Sequence, residues 1–175
     1  MATDEELIAA VAAGDDEALA SLYRRYERPL HAFLVRYTGG RDVDDLVQES
    51  WLRVVRAAHR FDPARRFSTW LFQIAVNLAR DWRRRPPLEA ADPADTAGLI
   101  AADGVDAVHA GLDVERLLAA LPEAQRAVVV LRHFHDLGED EVATILAIPR
   151  GTVKSRLHTA MERLIAMARA PGAAR

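Results

Sequence analysis

The chain has 175 residues, half of them apolar, which suffices for one large or two small cores. It contains no cysteine, which excludes disulfides, thiolate zinc sites and thiol redox chemistry. A formal charge of -3 argues against a uniformly basic nucleic-acid binder, so any such role must rest on local charge.

The first 20 residues carry six acids and no Lys or Arg, unlike the basic start of a signal peptide. No run of about 18 uncharged apolar residues follows, so no membrane span is expected, and a cytoplasmic protein is the simplest reading. Thr3 is placed to cap a short helix ending near Gly14. Asp15 and Asp16 open a longer one carrying Leu19, Leu22, Tyr23, Tyr26, Leu30, Phe33, Leu34 and Tyr37 at helical spacing. Pro29 inside it predicts a kink or a division in two, and Gly39-Gly40 predicts its end. Asp42 or Asp44 starts the next helix, with Leu46, Val47, Trp51, Val54, Val55 and Ala58 expected to face inward. Asp44, Asp45, Gln48 and Glu49 form an acidic patch near its start. Carboxylates there stabilise the helix dipole; a docking surface for a basic partner is the alternative.

Phe61 to Phe67 reads as a loop, and Ser68 or Thr69 as the cap of a helix running to about Arg84. That helix has an apolar stripe of Trp70, Leu71, Ile74, Leu78 and Trp82, and a polar one of Gln73, Asn77, Arg80 and Arg84. Residues 60–85 hold seven Arg against two Asp. Together with Arg65, Arg66, Phe61 and Phe67 of the loop, this interleaving of cations and rings suits single-stranded DNA. Trp70 and Trp82 are expected in the core; Phe61 and Phe67 fit core or base stacking equally. Asn77 has the amide to read a base edge, although a surface Asn is more often simply solvated.

Residues 87–112 are rich in Ala, Asp, Pro and Gly and lack aromatic residues, which predicts a flexible linker. Across 86–115 there are seven acids and no Lys or Arg, so the segment is expected to compete with DNA phosphate for the basic faces of the free chain. Asp113 is placed to cap the next helix. Pro122 starts another, with Val128, Val129, Leu131 and Phe134 inside, and Gly138 ends that region. The last two helices are the most informative. Val142, Ile145 and Leu146, with small Ala143, are followed by the turn Ala147-Ile148-Pro149, where proline stops the helix. From Gly151, Val153, Leu157, Ala160, Met161, Leu164 and Met167 recur at three and four. Arg150, Thr152, Lys154, Ser155, Arg156, His158 and Thr159 then lie near the start of the second helix, where a recognition helix contacts the major groove. Residues 150–169 carry five Lys or Arg against Glu162.

Taken together, the chain resembles the extracytoplasmic-function (ECF) group of bacterial RNA polymerase sigma factors, in the sigma-70 family. Asp45-Leu-Val-Gln-Glu-Ser-Trp51 resembles their segment for binding the clamp helices of the polymerase. Phe67-Ser-Thr-Trp-Leu-Phe-Gln-Ile-Ala-Val-Asn77 resembles their segment for melting and reading the -10 element. Leu121-Pro-Glu-Ala-Gln-Arg126 and the helix-turn-helix resemble their domain for the -35 element. The resemblance implies an all-α fold: a region 2-like domain over 1–86, an acidic linker over 87–112 and a region 4-like domain over 113–170. It implies polymerase contacts at Asp44, Asp45, Leu46, Gln48, Glu49 and Trp51. It implies -10 contacts at Phe61, Arg65, Arg66, Phe67, Gln73, Asn77, Arg80 and Arg84. The -35 contacts fall on Arg150, Thr152, Lys154, Ser155, Arg156, His158 and Thr159. The implied partners are core RNA polymerase, promoter DNA and an anti-sigma factor, soluble or held at the membrane. No cofactor, metal, membrane insertion or enzymatic activity is implied. Many relatives have Gly where this chain has Ala147, and basic residues nearer Thr159 and Met161.

Two other readings compete. A stand-alone helix-turn-helix regulator explains residues 139–167 but leaves the Arg-rich helix and the acidic patch without a task. An all-α enzyme would have to use Asp44, Asp45 and Glu49 on magnesium, or His133, His135 and Asp136 on a metal. Neither cluster has the support of a phosphate-binding loop or a metalloprotease motif.

Overall fold

The computed structural model describes residues 2–84 and 114–169, and every regular element among them is helical. Helix α1 spans Asp4–Ala12, α2 Asp16–Thr38, α3 Val43–Ala57 and α4 Phe67–Arg84, with a 3-10 turn at Ala58–Arg60. After the undescribed stretch, α5 covers residues 114–120. Helix α6 is Glu123–Val129 and continues as a π-helical turn, Val130–Phe134; α7 is Glu139–Leu146 and α8 is Arg150–Arg169.

Local chemistry sets most of the ends. Thr3 and Glu6 form a reciprocal capping box on α1, and the Asp15 carboxylate accepts the N–H groups of Glu17 and Ala18 at the start of α2. Each satisfies donors that the first helical turn cannot pair itself. Gly39 closes α2 at φ 72, a left-handed conformation natural to glycine. Asp42 precedes α3 as expected, but its side chain does not cap the helix; its carboxylate accepts instead from Trp82 Nε1 at 3.0 Å.

Of the two outcomes expected at Pro29, a kink or a division, the division does not occur: α2 is one helix with Pro29 inside it. An interior proline costs about 3 kcal/mol. Burial of Leu22, Leu30, Phe33, Leu34 and Tyr37 along α2 offsets that, since packing rather than propensity holds most helices. Helix α4 begins at Phe67, so neither Ser68 nor Thr69 is its cap. The Phe67 N–H donates to Glu5 Oε1 at 2.9 Å, so a side chain of α1 fixes the start of α4. Asp113, the expected cap of α5, lies outside the described residues.

Helices α1 to α4 enclose Ile8, Leu22, Phe33, Leu46, Val54, Phe67 and Leu71. Helices α5 to α8 enclose Leu118, Val128, Leu131, Val142, Ile145, Val153 and Ala160. The two sets share one continuous apolar cluster, because α4 packs along α7 and α2 meets α6 and its π-helical turn. Phe134 of that turn and His135 after it bring two rings to this junction. His135 lies edge-on to Phe33 at 5.8 Å and against Phe72 at 4.7 Å. Phe134, expected inside, is exposed; it sits under the Arg36 guanidinium at 4.5 Å. Val55 and Met161, also expected inside, are exposed.

Candidate nucleic-acid interface

The helix-turn-helix is built as its sequence predicts. Gly138 precedes α7 and donates its N–H to Glu141 Oε2 at 2.8 Å. Ala147 ends α7 at φ 55, ψ 48. Its left-handed geometry lets the Ile148 N–H reach back to the Ala143 carbonyl at 3.0 Å, the wrapped closure usual at helix ends. Pro149 then supplies the carbonyl that accepts the Thr152 and Val153 N–H groups at 2.9 and 3.1 Å, and α8 departs in a new direction. Val153 and Ala160 anchor α8 on the buried Val142, Ile145 and Leu146.

That anchoring turns the opposite face of α8 outward. Lys154, Ser155 and His158 are exposed, while Thr152, Arg156 and Thr159 are partly covered. Ser155 Oγ and Thr159 Oγ1 donate to the carbonyls of Thr152 and Ser155, at 3.1 and 3.0 Å. His158 pairs with Glu162 at 3.4 Å. Arg150 is tied to Glu139 at 3.0 Å and Asp140 at 3.4 Å; these carboxylates raise its pKa further. Arg150 therefore braces α8 against α7, whereas Lys154 and Arg156 make no ion pair among the described residues.

On α4 the structure sorts the expected contacts. Phe67 is 0% exposed and packs edge-on to Tyr26 at 5.2 Å. Phe61 is half-buried and tilts against Trp70 at 5.2 Å, leaving a ring at the rim. Trp70 and Trp82 pack against the core and are half-buried. Arg65, Asn77 and Arg84 are exposed. Arg66, Gln73 and Arg80 are engaged with α7. Arg66 Nη1 donates to Glu141 Oε1 at 2.9 Å, Gln73 Nε2 to the Thr144 carbonyl at 3.3 Å and Arg80 Nη2 to the Leu146 carbonyl at 3.1 Å. Thr69 Oγ1 also donates to Glu141 Oε1, at 2.9 Å. Glu141 thus holds its own helix start with one oxygen and, with the other, Thr69 of α4 and Arg66 just before it. Only the first of these tasks is visible in the Gly138-to-Glu141 spacing.

The acidic patch borders a groove between α2 and α3. Tyr23, Val35, Trp51, Leu52 and Val55 give it apolar lining, and its polar lining is mixed: Glu27, Asp44 and Gln48 with Arg28, His31 and Arg36. Tyr23 and Trp51 pack with ring centroids 5.3 Å apart. Asp45 is exposed, and Glu49 is half-exposed beside Arg56 at 3.7 Å. Leu46 is 1% and Trp51 7% exposed, so Leu46 is a core residue and Trp51 offers only an edge. The sequence reading missed Tyr23, Leu52 and Val55 as surface residues. Their spacing on two helices is helical, but only the packing of α2 on α3 shows which side stays open.

Profiles of two families match the chain: Sigma-70 region 2 over residues 22–86 and Sigma-70 region 4 over residues 111–164. The ECF RNA polymerase sigma-E factor of Escherichia coli (strain K12) is 32% identical, with 91% of each chain covered. That of Haemophilus influenzae is 33% identical, over 91% of this chain and 92% of the relative. Among solved structures, CnrH in complex with the cytosolic domain of CnrY is similar with a TM-score of 0.72 and 28% identity. The match covers 94% of this chain and 96% of that one. The sigma factor RpoE in complex with the anti-sigma factor NepR from Bartonella quintana shares the fold, with a TM-score of 0.67 and 22% identity over 85% of this chain.

Proposed function

We propose, from the chain's membership in the ECF RNA polymerase sigma factors, that it confers promoter specificity on core RNA polymerase and is controlled by an anti-sigma factor. One observation carries the assignment of tasks. A single chain presents an outward α8 face with Lys154 and Arg156, an Arg- and Asn-bearing α4, and an apolar groove beside the acidic start of α3.

Helix α8 suits the duplex. Its exposed start can enter the major groove, and Lys154 and Arg156 are the cations left to meet phosphate or base edges. Helix α4 suits a separated strand. Asn77 offers donor and acceptor together, as base-edge reading requires. Arg65, Arg66, Arg80 and Arg84 can track the backbone, and Phe61 supplies a ring at the rim. The groove suits a basic amphipathic helix pair of the polymerase. Tyr23, Leu52 and Val55 give apolar contact, while Asp44 in the groove and Asp45 and Glu49 beside it on α3 give charge complementarity. A cytoplasmic site of action and the division into a region 2-like and a region 4-like domain belong to the same proposal.

Run-off transcription with purified core polymerase tests this. Discrete transcripts whose mapped starts share upstream -10 and -35 sequences are expected. Transcription indistinguishable from that of core enzyme alone would refute the assignment.

A further inference from the structure

We propose that Glu5 is a positioning residue for strand reading: from α1 it holds the loop of residues 61–66 and the start of α4 in the arrangement that meets DNA. This role rests on the assignment of that loop and of α4 to the strand. The first N–H groups of a helix have no partner within it. In α4 the Phe67 N–H donates instead to Glu5 Oε1 at 2.9 Å, and the Arg66 carbonyl closes the first turn by accepting the Trp70 N–H at 3.2 Å. A carboxylate at this point also complements the positive end of the α4 dipole. The other end of the loop meets α1 as well, because α1 packs on the 3-10 turn at Ala58–Arg60. Between the two holds the loop turns on Asp62. Its carboxylate accepts the Ala64 N–H at 3.0 Å, and its carbonyl accepts the Arg65 N–H at 2.9 Å. Loops that bind need such a scaffold to fix them.

Glu5 is itself held in place. Its neighbour Asp4 accepts from Arg25 Nη1 at 2.5 Å and from the Tyr26 hydroxyl, while Arg25 Nη2 donates to the Ala2 carbonyl at 3.0 Å. Burial, then the hydrogen bond to Asp4, raises the Tyr26 pKa, so the hydroxyl stays a donor. Ile8 anchors α1 in the core. The Tyr26 ring packs edge-on to Phe67 at 5.2 Å, and Phe67 edge-on to Phe61 at 6.3 Å. Contacts therefore run from α2 through Asp4 and Glu5 to the backbone and rings beside Arg65 and Arg66. Every group of this brace lies among the described residues, whereas the acidic linker, expected to compete with DNA for the basic faces, lies outside them. Glu5 is half-buried, and its charge opposes DNA phosphate. Its two properties thus act in opposite senses: the charge weakens strand binding, and the acceptor oxygen supports it.

Three substitutions in the full-length chain separate these properties. Glu5→Gln keeps an acceptor oxygen at the same reach and removes the charge. Glu5→Asp keeps the charge and withdraws the oxygen by one methylene. Glu5→Ala removes both. Each chain is assembled with core polymerase and titrated with a fluorescent single-stranded DNA carrying the mapped -10 sequence, and with one of scrambled sequence. Glu5→Gln should bind the -10 strand at least as tightly as the wild type. Glu5→Asp and Glu5→Ala should bind it more weakly, by up to about fivefold, the ratio that one helix cap supports, and with less preference over the scrambled strand. Apparent affinity then follows the fraction of chains whose loop is held. Hydrogen exchange on the free chain gives a reading without DNA. Amides of residues 61–67 should exchange faster in Glu5→Asp and Glu5→Ala and as in the wild type in Glu5→Gln, with α2 and α3 unchanged. The contrast between Glu5→Gln and Glu5→Asp decides the matter if Glu5→Ala folds poorly. Affinities that follow charge alone, with Glu5→Asp as the wild type and Glu5→Gln and Glu5→Ala equally tighter, overturn the positioning role. Faster exchange at 61–67 with unchanged strand affinity and preference also overturns it, and leaves Glu5 a helix cap. If no form binds the -10 strand, wild type included, the assignment of the loop and α4 to DNA falls, and the positioning role falls with it.

Discussion

Ala147 holds a left-handed conformation, φ 55, at which an L-residue is strained by roughly 1–2 kcal/mol. Ala147→Gly relieves that strain, while the freer unfolded chain returns about 0.5–1 kcal/mol of it. A net stabilisation of about 0.5–1 kcal/mol is expected, read as a raised melting temperature of the full chain; a lowered one contradicts it. His135 gives a pH signature. Burial between Phe33 and Phe72, and then the charge of Arg36, push its pKa from 6.5 down to about 4, while Asp136 acts weakly in the other direction. Above pH 6.5 the ring is neutral whether folded or unfolded, and its packing contributes fully. As pH falls from 6.5 toward 4, the unfolded chain takes up a proton that the folded one refuses, so stability declines through that window. Urea midpoints at several pH values should show this decline in the wild type and a smaller one in His135→Phe. Equal slopes would place the ring elsewhere. Asn77 is exposed on α4, as its position in the polar stripe predicts. Asn77→Ala should cost about 1–3 kcal/mol in discrimination at one -10 position; open-complex formation unchanged on every -10 variant would return Asn77 to simple solvation.

At the scale of the element, helix ends were legible wherever the signal was local. Thr3, Asp15, Gly39 and Gly138 each act within their own turn. The start of α4 was not legible, because its cap is Glu5, on another helix. The outward placement of Val55, Phe134 and Met161 was hidden for a related reason. Helical spacing identifies a stripe, but the neighbouring helices decide how wide a stripe they cover. Two predictions belong here. Asp45→Lys combined with Glu49→Lys on α3 should weaken association with core polymerase by on the order of 2–5 kcal/mol if both contacts are desolvated; unchanged affinity removes the acidic patch of α3 from the docking surface. On α8, Arg156 is partly covered and Lys154 exposed, and Arg156 is assigned to phosphate. Arg156→Ala should lower the salt slope of binding by about one and weaken all sequences alike. A changed preference at a single base pair would reverse the roles of the two cations.

For the whole molecule, the all-α class and the order of a region 2 followed by a region 4 were legible, since each carries its own pattern. The packing of the two halves was not. Glu141 meets Arg66 and Thr69 across 75 and 72 residues, and no local spacing encodes such a pairing. The same contacts explain why the site appears only in part: Asn77, Arg84 and Lys154 stand free to solvent, while Arg66, Gln73 and Arg80 are engaged. The central claim is that this chain, with core polymerase, opens promoter DNA. Permanganate reactivity of thymines in the -10 segment measures that opening directly. Reactive thymines are expected only when chain and core enzyme are both present, fewer with Asn77→Ala, and none with either protein alone. Unreactive thymines on every promoter bearing the mapped -10 and -35 sequences, in the presence of both proteins, would contradict it.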